Sequence, residues 1–177
     1  MVLQMIYAAT GHRPDKLGGY DIYSAKRLID FATEVLEHHQ PSAVITGMAL
    51  GWDTAIAEAA VNLKIPFHAY IPFVGQELVW PITTKLIYKS LLNKAEKIVI
   101  CSEGGFSKEA MQKRNEAMVD NCDMLLAMWN GSKGGTGNCL AYARSIGRPY
   151  INYWHQFMPD TYGHIPSLGS DNDWLTI

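Results

Sequence analysis

Residues 129 to 138 read Trp-Asn-Gly-Ser-Lys-Gly-Gly-Thr-Gly-Asn, a composition able to hold an anion. An apolar run of strand length precedes them at residues 124–128, and residues 139–146 read as a helix. Glycine lets backbone approach a phosphate closely and adopt positive φ. The first N–H groups of a helix lack partners within it, and its dipole favours negative charge there. Gly131, Gly134, Gly135 and Gly137 supply the bare backbone; Thr136 and Asn138 add side-chain donors, and Trp129 could wall a pocket. The competing reading is a glycine-rich turn with no ligand.

Two more loops carry chemistry. Gly11-His12-Arg13 follows the first apolar run, and an arginine there can clamp a phosphate or carboxylate with two parallel bonds. A surface ion pair is the alternative. His12 is a turn residue or a ligand donor. The second loop is Gly47-Met48-Ala49-Leu50-Gly51-Trp52-Asp53. Asp53 could accept from a ribose hydroxyl, act as a general acid or base, or cap the helix that follows. Gln76 and Trp80 stand four apart, the spacing of one helix face, and Trp80 with Phe73 could stack a base or belong to the core. Arg114 and Asn115 fall in a helix, where an arginine is usually solvated.

The elements that must position these residues alternate. Apolar runs at residues 2–9, 42–46, 67–71, 97–101, 123–129 and 150–153 read as strands. Helical spacing fills residues 23–39, 53–63, 76–95, 108–121 and 139–146, with Pro81 interrupting the third. Strands apolar on both faces predict a mainly parallel α/β sheet of five or six strands with helices on both faces, a Rossmann-like arrangement. Ligands in such sheets sit beyond the carboxyl ends of the strands. The chain is expected to be a single domain over residues 1–177, with residues 154–177 an irregular tail.

Composition narrows the function classes. The chain has 177 residues, 48% hydrophobic and 18% charged, with a net charge of −2. That balance gives no electrostatic argument for nucleic acid or an anionic membrane. No apolar stretch approaches the roughly 20 residues that span a bilayer. Cys101, Cys122 and Cys139 are odd in number and read as buried thiols, which fits a cytoplasmic location. No His/Cys/Asp/Glu group has zinc-like spacing, so no metal is expected.

Taken in order, several pieces resemble the SLOG superfamily, the Rossmann-like group that includes the DprA and Lonely Guy proteins. They are Thr10-Gly11-His12-Arg13, the turn 47–53, Ile71-Pro72-Phe73 with Gln76 and Trp80, Arg114-Asn115 with Met118-Val119-Asp120, and Asp123, Trp129 and Gly134-Gly135-Thr136-Gly137-Asn138. Within the superfamily they look most like the YpsA-like branch, over residues 5 to 153. The resemblance implies a Rossmann-like fold, a pocket for a nucleotide or nucleotide-derived ligand, and a homodimer or higher homo-oligomer. Lonely Guy enzymes cleave the N-glycosidic bond of nucleoside 5′-monophosphates with Pro-Gly-Gly-x-Gly-Thr and a following glutamate. This chain departs from them: Lys133 stands in place of the proline, and Gly137-Asn138-Cys139-Leu140-Ala141 offers no carboxylate.

The expectation is a cytoplasmic binding protein for an ADP-ribose or NAD-like ligand, acting as sensor, carrier or sequestering protein and needing no cofactor. The alternative is a nucleoside 5′-monophosphate phosphoribohydrolase or N-glycosidic transferase working through Asp53. A DprA-like nucleic-acid protein is a third reading, against which the lack of positive charge counts.

Overall fold

The computed structural model of the chain describes residues 4–158. Six strands alternate with helices: β1 Ile6–Gly11, α1 Ile22–His39, β2 Ala43–Thr46, α2 Trp52–Leu63, β3 Phe67–Ile71, α3 Ile82–Leu92, β4 Lys97–Ile100, α4 Lys108–Asp120, β5 Met124–Met128, α5 Gly135–Ser145, β6 Tyr150–Asn152 and the short α6 Trp154–Phe157. A single 3-10 turn, Pro14–Lys16, follows β1. All strand pairs are parallel, in the order β4-β3-β2-β1-β5-β6. The chain builds outward from β1 to β4, then returns to place β5 on the other side of β1. The order therefore reverses between β1 and β5.

Alternation along the strands makes two cores. Tyr7, Ala9, Val44, Phe67, Ala69, Leu126 and Met128 pack with α1, α2 and Tyr88 and Leu91 of α3. Ala8, Ile45, Tyr70, Leu125 and Ala127 pack with Met118 and Val119 of α4 and Leu140 and Ala143 of α5. Helices cover both faces of the sheet as its apolar runs predict, except at the edge strand β4, where Ile98 and Ile100 are exposed.

Local chemistry sets the helix ends. The Asp21 carboxylate accepts from the N–H groups of Tyr23 (2.9 Å) and Ser24 (3.0 Å), so α1 starts at Ile22. Its buried Leu28, Ala32, Val35 and Leu36 form one stripe. At α2 the cap position belongs to Gly51, with φ 99°, and no side chain caps it; Asp53 is not the cap. Trp52 is fully buried, and its indole N–H donates to the Leu126 carbonyl at 2.9 Å. That bond ties the β2–α2 turn to β5.

The structure corrects three expectations. Residues 74–80 are turns, not the start of a long helix, so Gln76 and Trp80 share no helix face. Pro81 explains this: proline disfavours helical backbone in the residue before it, and here it opens α3 instead. Next, α5 begins at Gly135, four residues earlier than its apolar pattern predicts, so the glycines are its first turn. Finally, the expected irregular tail begins with α6, whose Trp154 and Phe157 are buried against α1 and β1 residues. The rest of that stretch, residues 159–177, lies outside the described residues. Among the described residues no helix is long and apolar enough to cross a membrane.

Gly11 ends β1 directly under Trp52. A Cβ there would stand 2.5 Å from Trp52 Cβ and 2.7 Å from its Cδ1. Gly11→Ala should cost about 1 to 3 kcal/mol, the usual range for overpacking a tight core. Urea denaturation of the two proteins measures it; an unchanged midpoint would show that the tryptophan moves aside freely.

Candidate functional site

A crevice of about 590 Å³ opens beyond the carboxyl ends of β1 and β5, where the strand order reverses. Four segments wall it. Thr10 to Arg13 with Asp15 and Lys16 come from the end of β1; Ala49 and Asp53 come from the β2–α2 turn. Phe106 and the first half of α4 form a third wall, and Lys133 to Thr136 with Asn138 form the fourth. Five cationic side chains, Arg13, Lys16, Lys108, Arg114 and Lys133, face it against the carboxylates of Asp15 and Asp53. The crevice is thus positive although the chain is not.

The glycine wall is the N-terminal turn of α5. Gly134 caps it with φ 145°, and the first bond of the helix runs from Asn138 N to the Gly134 carbonyl at 2.9 Å. The N–H groups of Gly135, Thr136 and Gly137 lie ahead of that bond. A Cβ at Gly134 or Gly135 would meet nothing within 4 Å, so open space faces this backbone. Gly137 is enclosed instead, with Trp129 and the Ser132 carbonyl packed against it. The Trp129 indole donates to that same carbonyl at 2.8 Å, holding the loop in shape. Lys16 reaches across from the β1 side and donates to Ser132 Oγ at 2.8 Å.

Arg114 and Asp53 form the floor, and both are about 95% buried. Arg114 Nη1 donates to the Gly47 carbonyl at 2.6 Å and its Nε to Asn115 Oδ1 at 3.1 Å. Its distance to Asp53 Oδ2 is 4.0 Å. Gly47 must be glycine, because a Cβ would fall on the guanidinium. Asp53 Oδ2 accepts weakly from Ala49 N at 3.5 Å. Burial pushes the Asp53 carboxyl up to about 6, while the Arg114 charge, the Ala49 and Gly47 N–H groups and Arg13 pull it down.

Other expected residues support the crevice without lining it. Met48, with φ 55°, and Trp52 are fully buried. Gly51 borders a separate pocket with Leu50 and Thr54, and a Cβ there would strike the His12 carbonyl. Gln76 is buried and donates to the carbonyls of Gly47 and Met48, both at 3.4 Å, bracing the turn from below. Trp80 packs edge-on against Tyr88 in the α3 core, so it does not face the crevice. Phe73 is also buried, and Gly131 stands open on the surface. His12 lines the crevice but acts as a joint: its Nε2 lies 2.6 Å from Asn130 Oδ1, and burial pulls its pKa down. Cys122 and Cys139 are buried thiols pushed up to about 12 and about 11, while Cys101 is only half-buried.

Phe106, Lys108, Met111 and Gln112 join the site without a sequence motif to announce them. Lys108, Met111, Gln112 and Asn115 fall at i, i+3, i+4 and i+7 of α4, a mixed face whose pattern resembles an ordinary solvated stripe.

Comparison with known proteins identifies the family and the fold. The profile of YpsA, described as the YspA SLOG family, matches residues 7–146. The SPbeta prophage-derived protein YoqJ of Bacillus subtilis (strain 168) is 36% identical over 135 residues, covering 67% of this chain and 78% of YoqJ. A UPF0398 protein of Bacillus cereus is 23% identical over 169 residues, covering 86% of this chain and 89% of the relative. Among solved structures, DNA processing protein A (DprA) from Streptococcus pneumoniae superposes with a TM-score of 0.62 at 18% identity, over 84% of this chain and 50% of that one. The protein of the same name from Helicobacter pylori, described for its single-stranded DNA binding mode, gives 0.59 at 19% identity, over 83% and 64%. At those identities the likeness shows a shared fold. This chain spans only about half the length of the first and two thirds of the second.

Asp53 has a measurable signature. Its carboxyl stands at about 6 in the folded protein against an ordinary 3.8, so the folded state binds its proton more tightly. That contribution is fully present below about pH 4 and is lost as pH rises through about 6. A rise of this size is worth about 3 kcal/mol. Relative to Asp53→Asn, the wild type should therefore lose up to about that much stability between pH 4 and 7. Urea denaturation across this range tests it, and a difference that stays constant with pH would contradict it.

Proposed function

The chain belongs to the YspA SLOG family, and we propose that its crevice binds the phosphate of a nucleotide or nucleotide-derived ligand, such as an ADP-ribose or NAD derivative. The observation that carries this reading is the first turn of α5. Its glycine backbone faces open space at the positive end of a helix, inside a crevice lined by five cations against two carboxylates. Arg13 lines the same crevice, and its planar fork suits a phosphate. Asp53 is the acceptor available for a ribose hydroxyl.

A second reading has its own observation. A carboxyl at about 6 can give or take a proton near neutral pH, as a general acid or base must. On that reading the protein hydrolyses an N-glycosidic bond, with Asp53 activating water or protonating the leaving base. Chromatography of AMP, NAD and ADP-ribose after long incubation separates the two. Free base that vanishes with Asp53→Asn means an enzyme; intact nucleotide removes the hydrolase reading and leaves binding to the titrations below.

The phosphate site is tested by substitution. Gly135→Asp puts a carboxylate into open space, so the fold should survive while binding weakens. Calorimetric titration with ADP-ribose should show a loss of more than about 2 kcal/mol, the scale of a charged hydrogen bond. Arg13→Lys should also weaken binding, because a point charge replaces two parallel donors. Wild-type affinity in both variants would place the phosphate elsewhere.

A further inference from the structure

The α4 wall measures the length of the crevice. Asn115 Nδ2 donates to the Gly135 carbonyl at 3.2 Å, so that end of the wall touches the glycine turn. Lys108 lies seven residues earlier on the same face, about 10 Å away along the axis at the α-helical rise of about 1.5 Å per residue. Phe106 lies two residues before Lys108, just ahead of the helix, and lines the same crevice.

Phe106 is the one Phe, Tyr or Trp among the crevice-lining residues, and it is 73% exposed. One exposed phenylalanine is ordinary on a protein surface. The placement of this one is not. Its ring meets the buried Phe73 edge-on, with centroids 6.3 Å apart and planes at 81°, so it is propped from one side. Ser107 then caps α4, its Oγ accepting from Ala110 N at 2.9 Å, which fixes the backbone immediately after Phe106. Met111, in the first turn of α4, adds apolar surface to the same wall, and Gln112, whose amide nitrogen donates to Glu116 at 3.0 Å, offers its amide oxygen to a base edge. The rest of the crevice is mainly polar or cationic. The apolar, aromatic start of α4 and the phosphate-ready turn bonded to Asn115 stand at the two ends of one helix face, as base and phosphate stand at the two ends of a nucleotide, and the buried Asp53 and Arg114 line the same crevice.

We propose that Phe106 is the stacking platform for the ligand's base, so that the site takes a nucleotide with an aromatic base in preference to a bare sugar phosphate. This rests on the phosphate reading of the α5 turn. Stacking on Phe106 is sequence-tolerant, since every base offers a π-face.

The experiment compares AMP with ribose 5-phosphate on wild-type protein, Phe106→Ala and Phe106→Trp by calorimetric titration. Phe106→Ala should weaken AMP about tenfold, the scale of one base–aromatic stack, and leave ribose 5-phosphate within about twofold. Phe106→Trp should keep AMP affinity, and AMP should quench its new fluorescence. Equal AMP affinity in wild type and Phe106→Ala would overturn the proposal, as would equal losses for both ligands, which would make Phe106 a loop prop. If AMP binding ignores Phe106 but is abolished by Gly135→Asp, the base proposal fails while the phosphate reading stands. If wild type binds neither ligand, both fail.

Discussion

A buried guanidinium holds the crevice together. Arg114 leaves α4, passes over Gly47 where no side chain could stand, and donates to the Gly47 carbonyl while facing Asp53. Removing charges from water is expensive, and a buried pair returns that energy only when hydrogen bonds complete it. Here the carbonyl, the Asn115 amide oxygen and the carboxylate share one guanidinium. The arrangement joins the β2–α2 turn to α4, two walls that otherwise belong to different faces of the sheet. Gln76 braces the same turn from the α3 side. Asp53 is left only partly compensated, which is why its carboxyl stands near 6 rather than near 4.

That constraint works because the sheet reverses beside it. β1 has β2 on one side and β5 on the other, so the loops leaving β1 and β5 diverge and open a gap. The glycine turn of α5 and Arg13 both line that gap. The shared fold with DprA at 18% identity speaks to this frame alone; the chemistry lives in the side chains placed on it.

Much of the frame is legible in the chain because its signals are local. Apolar runs of strand length, such as β3 Phe67–Ile71, and the stripe Leu28, Ala32, Val35, Leu36 need no tertiary context. The parts that differ depend on contacts distant in sequence. Glycine is a poor helix former, so residues 135–137 read as loop until Asn115 holds the Gly135 carbonyl and Trp129 packs on Gly137. Residues 154–157 are too few for any periodicity, yet Trp154 and Phe157 are anchored by burial. The aromatic residues depart in the same way. Phe73 and Trp80 carry the stacking expectation, but Trp80 packs on Tyr88 and Phe73 serves as a prop for Phe106. Sequence spacing identifies an aromatic without showing which way it faces. Arg114 reads as a solvated helix residue for a related reason: only the empty space over Gly47 makes room for its burial.

The central claim is that the bare backbone at the start of α5 receives a phosphate. The most direct measurement is an amide chemical-shift titration of the labelled protein with ribose 5-phosphate and, separately, with ribose. The account predicts large, saturable shifts of the Gly135, Thr136 and Gly137 amides with the phosphate ester and none with the sugar alone. Unmoved amides at those three residues, with the principal shifts elsewhere on the molecule, would contradict it.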